Sequence, residues 1–318
     1  MKTVGLFSDR TSAKTRELNY KEFELIDNEV VTVKYSSINY KDRLLVSGAA
    51  HVSRHKSIVP GIDVVGSLKD ENFVSAGFDL GVNRDGGWAK HCEIPESQLT
   101  IIPDGFSLEA CAAYGTAGLT AAEIVRQIIE RDNVVPLNSI LIVGGVKGAS
   151  FLTVIFLLAL NYRVTLVSRD EQKSLLGING FTNISLEEFF ATQPLSILRR
   201  EGEHDAVINF LGGGSLLNSI GLLGNGGILF SVGNILGNSV DRFSLAPFFL
   251  RGICLQGINL EILDDTLKAS LWQFIFKNEH LWREWMSWSV VRFTDLKDYL
   301  LEAASKEDRP RVIVSMGE

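Results

Sequence analysis

Residues 140–150 read Ile-Leu-Ile-Val-Gly-Gly-Val-Lys-Gly-Ala-Ser. Ile140 to Val143 is a short β-branched run and Ala149 to Leu160 an apolar run of helical length, so the glycines stand between a strand and a helix. Without side chains the backbone of such a turn can approach a phosphate closely. The helix N-terminus adds unpaired N–H groups and a partial positive charge that stabilise an anion. Gly145, Lys147, Gly148 and Ala149 are therefore candidate contacts for a dinucleotide pyrophosphate. No G-x-G-x-x-G can be read from these residues, and a tight turn without a ligand is the competing account. At the end of the next strand, Val164 to Val167, an acidic residue would bind an adenosine ribose and favour NAD. This chain has Ser168 and Arg169 there, with Asp170 one step later. A hydroxyl and a guanidinium suit a 2′-phosphate, so the expected cofactor is NADPH. Lys173 either assists or is merely solvated.

Those residues need a parallel sheet to hold them. Further strands are expected at Ala206 to Phe210, Ile228 to Val232 and Cys254 to Ile258, each separated from the last by enough chain for a crossover. The almost wholly apolar runs fit strands buried on both faces of a doubly wound sheet. Ligands bind at the carboxyl ends of such strands, which makes Leu211 with Gly212 and Val232 with Gly233 candidate cofactor contacts. The run Ser139 to Leu160 is long enough to imitate a membrane span, but Gly144, Gly145, Lys147 and Gly148 divide it, and a Lys near mid-span is costly.

Ahead of this part the chain looks strand-rich and irregular, with runs at Glu29 to Val33, Phe73 to Ser75, His91 to Ile94 and Thr100 to Ile102. A helix is expected to open near Leu119, with Thr120 and Glu123 spaced as a capping box. After residue 250 come a Trp-rich helical stretch, Leu271 to Trp288, and a final strand, Arg311 to Ser315. Its aromatics are expected to pack in cores rather than form a stacking platform.

At 318 residues the chain is about twice the usual domain size, so two domains are expected. A formal charge of −7 provides no basic field for nucleic acid. Cys92, Cys111 and Cys254 have no disulfide or zinc-finger spacing and read as free thiols. His51 and His55 lack partners at metal-ligand spacing, and no metal is expected. Asp9 falls where a signal peptide needs an apolar core, so the expectation is a cytoplasmic protein with no membrane association.

Five ordered motifs carry a resemblance: Ser36-Ser37-Ile38-Asn39-Tyr40-Lys41-Asp42, Pro60-Gly61-Ile62-Asp63, Gly86-Gly87-Trp88-Ala89, Gly115-Thr116-Ala117-Gly118-Leu119-Thr120-Ala121 and Pro247-Phe248-Phe249-Leu250-Arg251-Gly252. Together they resemble the zinc-independent branch of the medium-chain dehydrogenase/reductase superfamily that holds acrylyl-CoA reductases and NADPH:quinone oxidoreductase-like enzymes. The resemblance implies an α/β protein in which a groES-like catalytic domain, residues 1–115 and 251–318, clasps a Rossmann domain, residues 116–250, with the active cleft between them. It implies hydride transfer from NADPH to an activated alkene, a coenzyme A thioester or a small enone or quinone. It also implies a homodimer.

Carried onto this chain, the motifs make Tyr40 the candidate proton donor or oxyanion partner, with a core tyrosine whose hydroxyl is merely satisfied as the alternative. Asn39 is a candidate substrate contact, although Asn39 and Asp42 better suit loop-shaping hydrogen bonds than reaction. Thr120 is assigned to the cofactor, with a helix cap as the alternative. Arg251 is assigned to substrate phosphate and Arg311 to cofactor phosphate, with ion pairing as the alternative for each. Relatives have Gly-Ala-Ser-Gly-Gly-Val-Gly-Ser at the cofactor turn. Here Lys147 and Ser150 replace two of those glycines, so Ser150 is expected to hinder close packing of the helix against pyrophosphate while Lys147 adds a compensating positive charge. The altered loop motivates a rival reading, a diverged paralogue that turns nothing over and acts through weak nucleotide binding or protein contacts.

Overall fold

The computed structural model describes residues 1–12, 15–26, 29–48, 53–169, 175–191, 202–241, 243–302 and 310–317. Its chain divides into two units: Met1–Leu119 with Leu260–Asn278 and Met286–Glu318, and Thr120–Asn259 with Glu279–Trp285.

The first unit begins with strands β1 (Lys2–Arg10) and β2 (Arg16–Glu24), followed by β3 (Val30–Ser37) and helix α1 (Tyr40–Ser47). Then come β4 (Ser57–Ile58), β5 (Asp63–Leu68), β6 (Glu71–Ala76), β7 (His91–Glu93) and β8 (Thr100–Ile101). Helix α2 (Leu108–Asp132) is broken at Gly115, whose φ of 48° and ψ of −150° divide it into two helical pieces. The expected helix start near Leu119 is thus corrected. The second piece starts at the kink, so Thr120 lies a turn inside it rather than at a cap. Glu123 does not cap either: its carboxylate accepts from Arg126 at 2.7 and 2.8 Å and from Gln127 at 2.6 Å, on the same helix face.

In the second unit the apolar run Ser139 to Leu160 becomes strand β9 (Ile140–Val143) and helix α3 (Gly148–Ala159). Among the described residues no helix is long and apolar enough to cross a membrane. The unit continues with β10 (Val164–Ser168), β11 (Phe181–Ser185), α4 (Leu186–Ala191), β12 (His204–Asn209), α5 (Ser215–Leu222), β13 (Leu223–Ser231), α6 (Ala246–Arg251) and β14 (Cys254–Gly257). These six strands form one sheet in the order β11-β10-β9-β12-β13-β14, and every pairing in it is parallel. Counted from β9 this is 3-2-1-4-5-6, the doubly wound order whose direction reverses between its first and fourth strands. All four residues of β9 are buried, as a central strand covered on both faces requires. β14 lies past residue 250, where the cofactor domain is expected to end. Glu279–Trp285 also belongs to this unit, because Trp282, fully buried, packs on Phe156 of α3 with ring centroids 4.1 Å apart.

The chain then returns to the first unit with α7 (Asp265–Asn278), β15 (Trp288–Arg292), α8 (Leu296–Glu302) and β16 (Arg311–Ser315). β15-β16-β3-β5-β6-β8 form a seven-stranded sheet with β7 added on β3, while β2-β1-β4 form a separate antiparallel sheet. Leu6, Val31, Val33, Val64, Trp88, Val312 and Val314 meet in its core. The Trp-rich stretch is core-forming as expected: Trp272 is 1% exposed and stacks on Phe276, which in turn meets Phe106 edge-on at 4.8 Å.

Candidate functional site

In the second unit the carboxyl ends of β9, β10, β12 and β13 gather most of the residues expected to hold a cofactor. The turn from β9 to α3 leaves Gly145 and Lys147 exposed and Gly148 and Ala149 partly so. Lys147 precedes the helix at φ −135° and ψ 159°, ordinary extended backbone. The left-handed position is Gly148, at φ 60°. The turn therefore keeps its shape with a lysine at 147, because the demand for glycine falls one residue later. A Cβ added at Gly148 would meet nothing within 4 Å, and one at Gly145 would come no nearer than 4.0 Å to another atom. The turn is open above, as a phosphate cradle must be.

Below the turn the fit is close. A Cβ on Gly144 would stand 2.7 Å from Ser150 Oγ and 3.1 Å from Phe210 Cβ. Ser150 is 3% exposed. Its hydroxyl occupies space that Gly144 leaves empty, so α3 packs on the turn with Ser150 in place.

Across the switch in strand order, Asn209 ends β12 and shapes the next turn. Its Oδ1 accepts from the N–H groups of Leu211 and Gly212 at 3.0 and 2.8 Å, and its amide donates to Ser215 and Ser219, both at 2.9 Å. Gly212 and Gly213 have φ of 68° and 53° and pass against the loop after β13, where a Cβ on Gly233 would lie 2.2 Å from the carbonyl oxygen of Phe210. Glycine is required there for two loop backbones to touch. Val232 is half-buried. Leu211 needs a correction, since its side chain packs in the core with Leu141, Val143 and Leu229, leaving only its backbone for a ligand. At the end of β10, Ser168 is buried and donates to Asn183 Oδ1 at 3.2 Å, while Arg169 is exposed. Lys173 lies outside the described residues.

Arg251 does not join this edge. It is 5% exposed, and its guanidinium donates to the carbonyls of Ile220, at 3.3 Å, and Leu223. Those carbonyls end α5 and open β13, at the amino edge of the sheet. A cation there complements the helix C-terminus, and the substrate-phosphate assignment is corrected to a structural one.

In the first unit the motif residues build a buried polar cluster. Asp63 is fully buried, and its Oδ1 accepts from the N–H of Thr116 at 2.8 Å and from the Thr116 hydroxyl at 2.5 Å. Its Oδ2 accepts from Asn39 at 2.8 Å and from the Ser37 hydroxyl. The carboxylate thus caps the second piece of α2, and a Cβ on Gly115 would collide with it at 2.2 Å. Thr116 Oγ1 also accepts from the N–H of Gly77 at 3.0 Å. Arg311, 4% exposed, donates to the carbonyl of Ala113 at 2.6 Å and to Asn39 Oδ1 at 3.1 Å. Arg311 and Asn39 are therefore spent on the fold, and their assignments to cofactor and substrate are corrected. Asp42 is buried and accepts from the N–H groups of Asn39, Gly61 and Ile62 at 2.9 to 3.2 Å. Burial pushes its carboxyl up to about 7; the Asn39 N–H opposes that rise and the neighbouring Asp63 adds to it. From this cluster α1 projects Tyr40, in its first turn and 50% exposed.

Asp63 and Asn209 are the functional supports that sequence reasoning missed. Asp63 had a signal in the pairing of Pro60-Gly61-Ile62-Asp63 with Gly115-Thr116, a lone acid and a glycine that admits it. Asn209 had only its place at a strand end before glycines. Among the described residues no group of three His, Cys, Asp or Glu side chains could hold a metal ion. His55 is exposed, and His51 lies outside the described residues.

No family model matches the chain. YhfP of Bacillus subtilis, provisionally assigned as a quinone oxidoreductase, is 28% identical over 260 residues, 78% of this chain and 77% of YhfP. The acrylyl-CoA reductase AcuI of Ruegeria pomeroyi is 28% identical over 284 residues, 85% of this chain and 84% of AcuI. Among solved structures, YhfP with NAD bound superposes with a TM-score of 0.85 at 24% identity, covering 99% of this chain and 100% of that one. The yhdH oxidoreductase of Salmonella enterica in complex with NADP gives 0.82 at 23% identity and covers 100% of both chains. At that identity the structures establish the fold, a groES-like unit with a Rossmann unit. Relatives along most of the chain, an acrylyl-CoA reductase and a provisionally assigned quinone oxidoreductase, bear out the resemblance to that group of medium-chain dehydrogenases/reductases.

Proposed function

We propose that this chain is an NADPH-dependent reductase of an activated alkene, an acrylyl-CoA-like thioester or a small enone or quinone, working without zinc. The observation that carries the reading is the carboxyl edge of the parallel sheet. There an open glycine turn, the N-terminus of α3, two backbone-to-backbone glycine loops and an exposed Arg169 gather at a switch in strand order. The turn geometry fits a dinucleotide, since Gly145 and Gly148 leave the space a pyrophosphate needs.

When bound, the nicotinamide supplies hydride to the β-carbon of the alkene. The chain's residues do the rest. The N–H groups opening α3, with the Lys147 ammonium, hold the pyrophosphate, and Arg169 pairs with the 2′-phosphate. The backbone of Leu211 to Gly213 and of Val232 and Gly233 orients the ring. The Tyr40 phenol donates to the carbonyl oxygen as negative charge develops on it, or delivers the proton to the α-carbon. Thr120 remains a candidate cofactor contact from within α2. The relatives' printed activities and the NADP bound to the yhdH oxidoreductase support this reading, and the resemblance supports a homodimer of two-domain chains whose cofactor unit runs through β14 to Asn259.

Titrating the protein with NADPH while following nicotinamide fluorescence, then adding acrylyl-CoA, tests the proposal. Saturable binding and NADPH oxidation that survives exhaustive chelation are expected. Absence of binding at millimolar NADPH would reject it in favour of the non-catalytic rival.

A further inference from the structure

Ser150 holds a polar atom that the fold leaves without a partner. Its Oγ is buried and makes no hydrogen bond to any protein group, although Thr153 in the next turn of α3 donates to the Ala149 carbonyl at 2.7 Å. The other such atoms among the described residues are Ser8 Oγ and Ser75 Oγ, in strands of the first unit, and one nitrogen each of Arg131 and Arg251. Both arginines bond backbone carbonyls through other nitrogens of the same guanidinium. Ser150 alone stands in the first turn of a helix, at the carboxyl edge of the sheet. Its hydroxyl points back to Gly144, the residue that opens the glycine turn, and comes within 2.7 Å of where a Cβ there would sit.

We propose that Ser150 is a pyrophosphate-binding residue: its hydroxyl donates, directly or through one bound water, to a phosphate oxygen seated on the turn. The assignment rests on the NADPH reading above. It reverses the sense of the departure from the relatives' glycine pattern. A glycine at 150 offers no side-chain donor, whereas this chain places one under the proposed anion site that the α3 N–H groups and Lys147 supply. A buried hydroxyl without an acceptor costs stability in the empty protein, and an anion that accepts from it recovers that cost on binding. Removing the hydroxyl must therefore act with opposite sign in the two states, which a purely structural serine would not do.

Ser150→Ala separates the alternatives. The unliganded variant should melt at the wild-type temperature or slightly above it, while its NADPH dissociation constant, read by fluorescence, rises roughly ten-fold. ADP-ribose 2′-phosphate, which keeps the pyrophosphate and lacks nicotinamide, should show the same loss by calorimetry. Adenosine 2′-monophosphate, which has no pyrophosphate, should bind variant and wild type alike. Unchanged NADPH affinity, or an equal loss for adenosine 2′-monophosphate, would overturn the assignment. A wild-type protein that binds none of the three would overturn the cofactor reading itself and this assignment with it, and is recognised without any variant.

Discussion

Two polar clusters occupy motif positions in this chain, and they are built on opposite plans. Around Asp63 the carboxylate has four donors, Asn39 and Arg311 are bonded to one another, and the cluster is buried. At the turn from β9 to α3 the glycines are open, Lys147 is exposed, and the one buried hydroxyl lacks an acceptor. A cluster that satisfies itself stabilises the fold, whereas one left incomplete has capacity for a ligand. Position in a motif does not distinguish the two; the hydrogen-bond inventory does.

The largest test of this contrast is Gly115→Ala. The added methyl meets the Asp63 carboxylate at 2.2 Å and the backbone sits at φ 48°, so urea unfolding should show a loss of about 3 to 5 kcal/mol. Gly145→Ala, at the open turn, should change stability by no more than about 0.5 kcal/mol. Comparable losses at both sites would erase the distinction.

Tyr40→Phe probes the group that the closed cluster presents outward. It keeps the ring and removes the donor, so the turnover number should fall about a hundred-fold to a thousand-fold with NADPH affinity near normal. Retained turnover would leave Tyr40 a structural residue.

Asp42 tests the closed cluster by pH. Its carboxyl is held at about 7, above the ~3.9 of an unfolded aspartate. The folded state therefore binds the extra proton between those values, and stability falls as pH rises from about 4 through 7, then levels. Asp42→Asn should flatten that slope, a difference of about 4 kcal/mol across the window in paired denaturation curves. Parallel curves would show that Asp42 is ionised throughout.

Smallest, and most discriminating for the open turn's neighbour, is Arg169→Ala. It should weaken NADPH by about 1 to 2 kcal/mol and leave NADH nearly unchanged. Equal losses would remove the 2′-phosphate from Arg169.

Much of the parallel sheet was legible because strands covered on both faces must be almost wholly apolar, as Ile140 to Val143 is throughout and Val164 to Val167 is but for Thr165. The hairpin β1–β2 was not: β2 reads Arg-Glu-Leu-Asn-Tyr-Lys-Glu-Phe-Glu, with a single fully buried residue, and gives no clean alternation. β11, Phe-Thr-Asn-Ile-Ser, is equally polar for an edge strand. At the site, glycines between a strand and a helix announce a turn locally. Arg251 and Arg311 could not be placed that way. Their partners are carbonyls of Ile220 and Ala113, 31 and 198 residues distant along the chain, and no local pattern encodes such a meeting.

Because Gly148 takes the left-handed conformation, the backbone places no demand on the side chain at 147. A single substitution there alters the charge facing an incoming anion while the cradle keeps its shape. Charge of that kind governs how fast an anionic ligand arrives more than how long it stays. On the proposed cofactor reading, Lys147 gives this turn a kinetic setting that can change independently of its geometry.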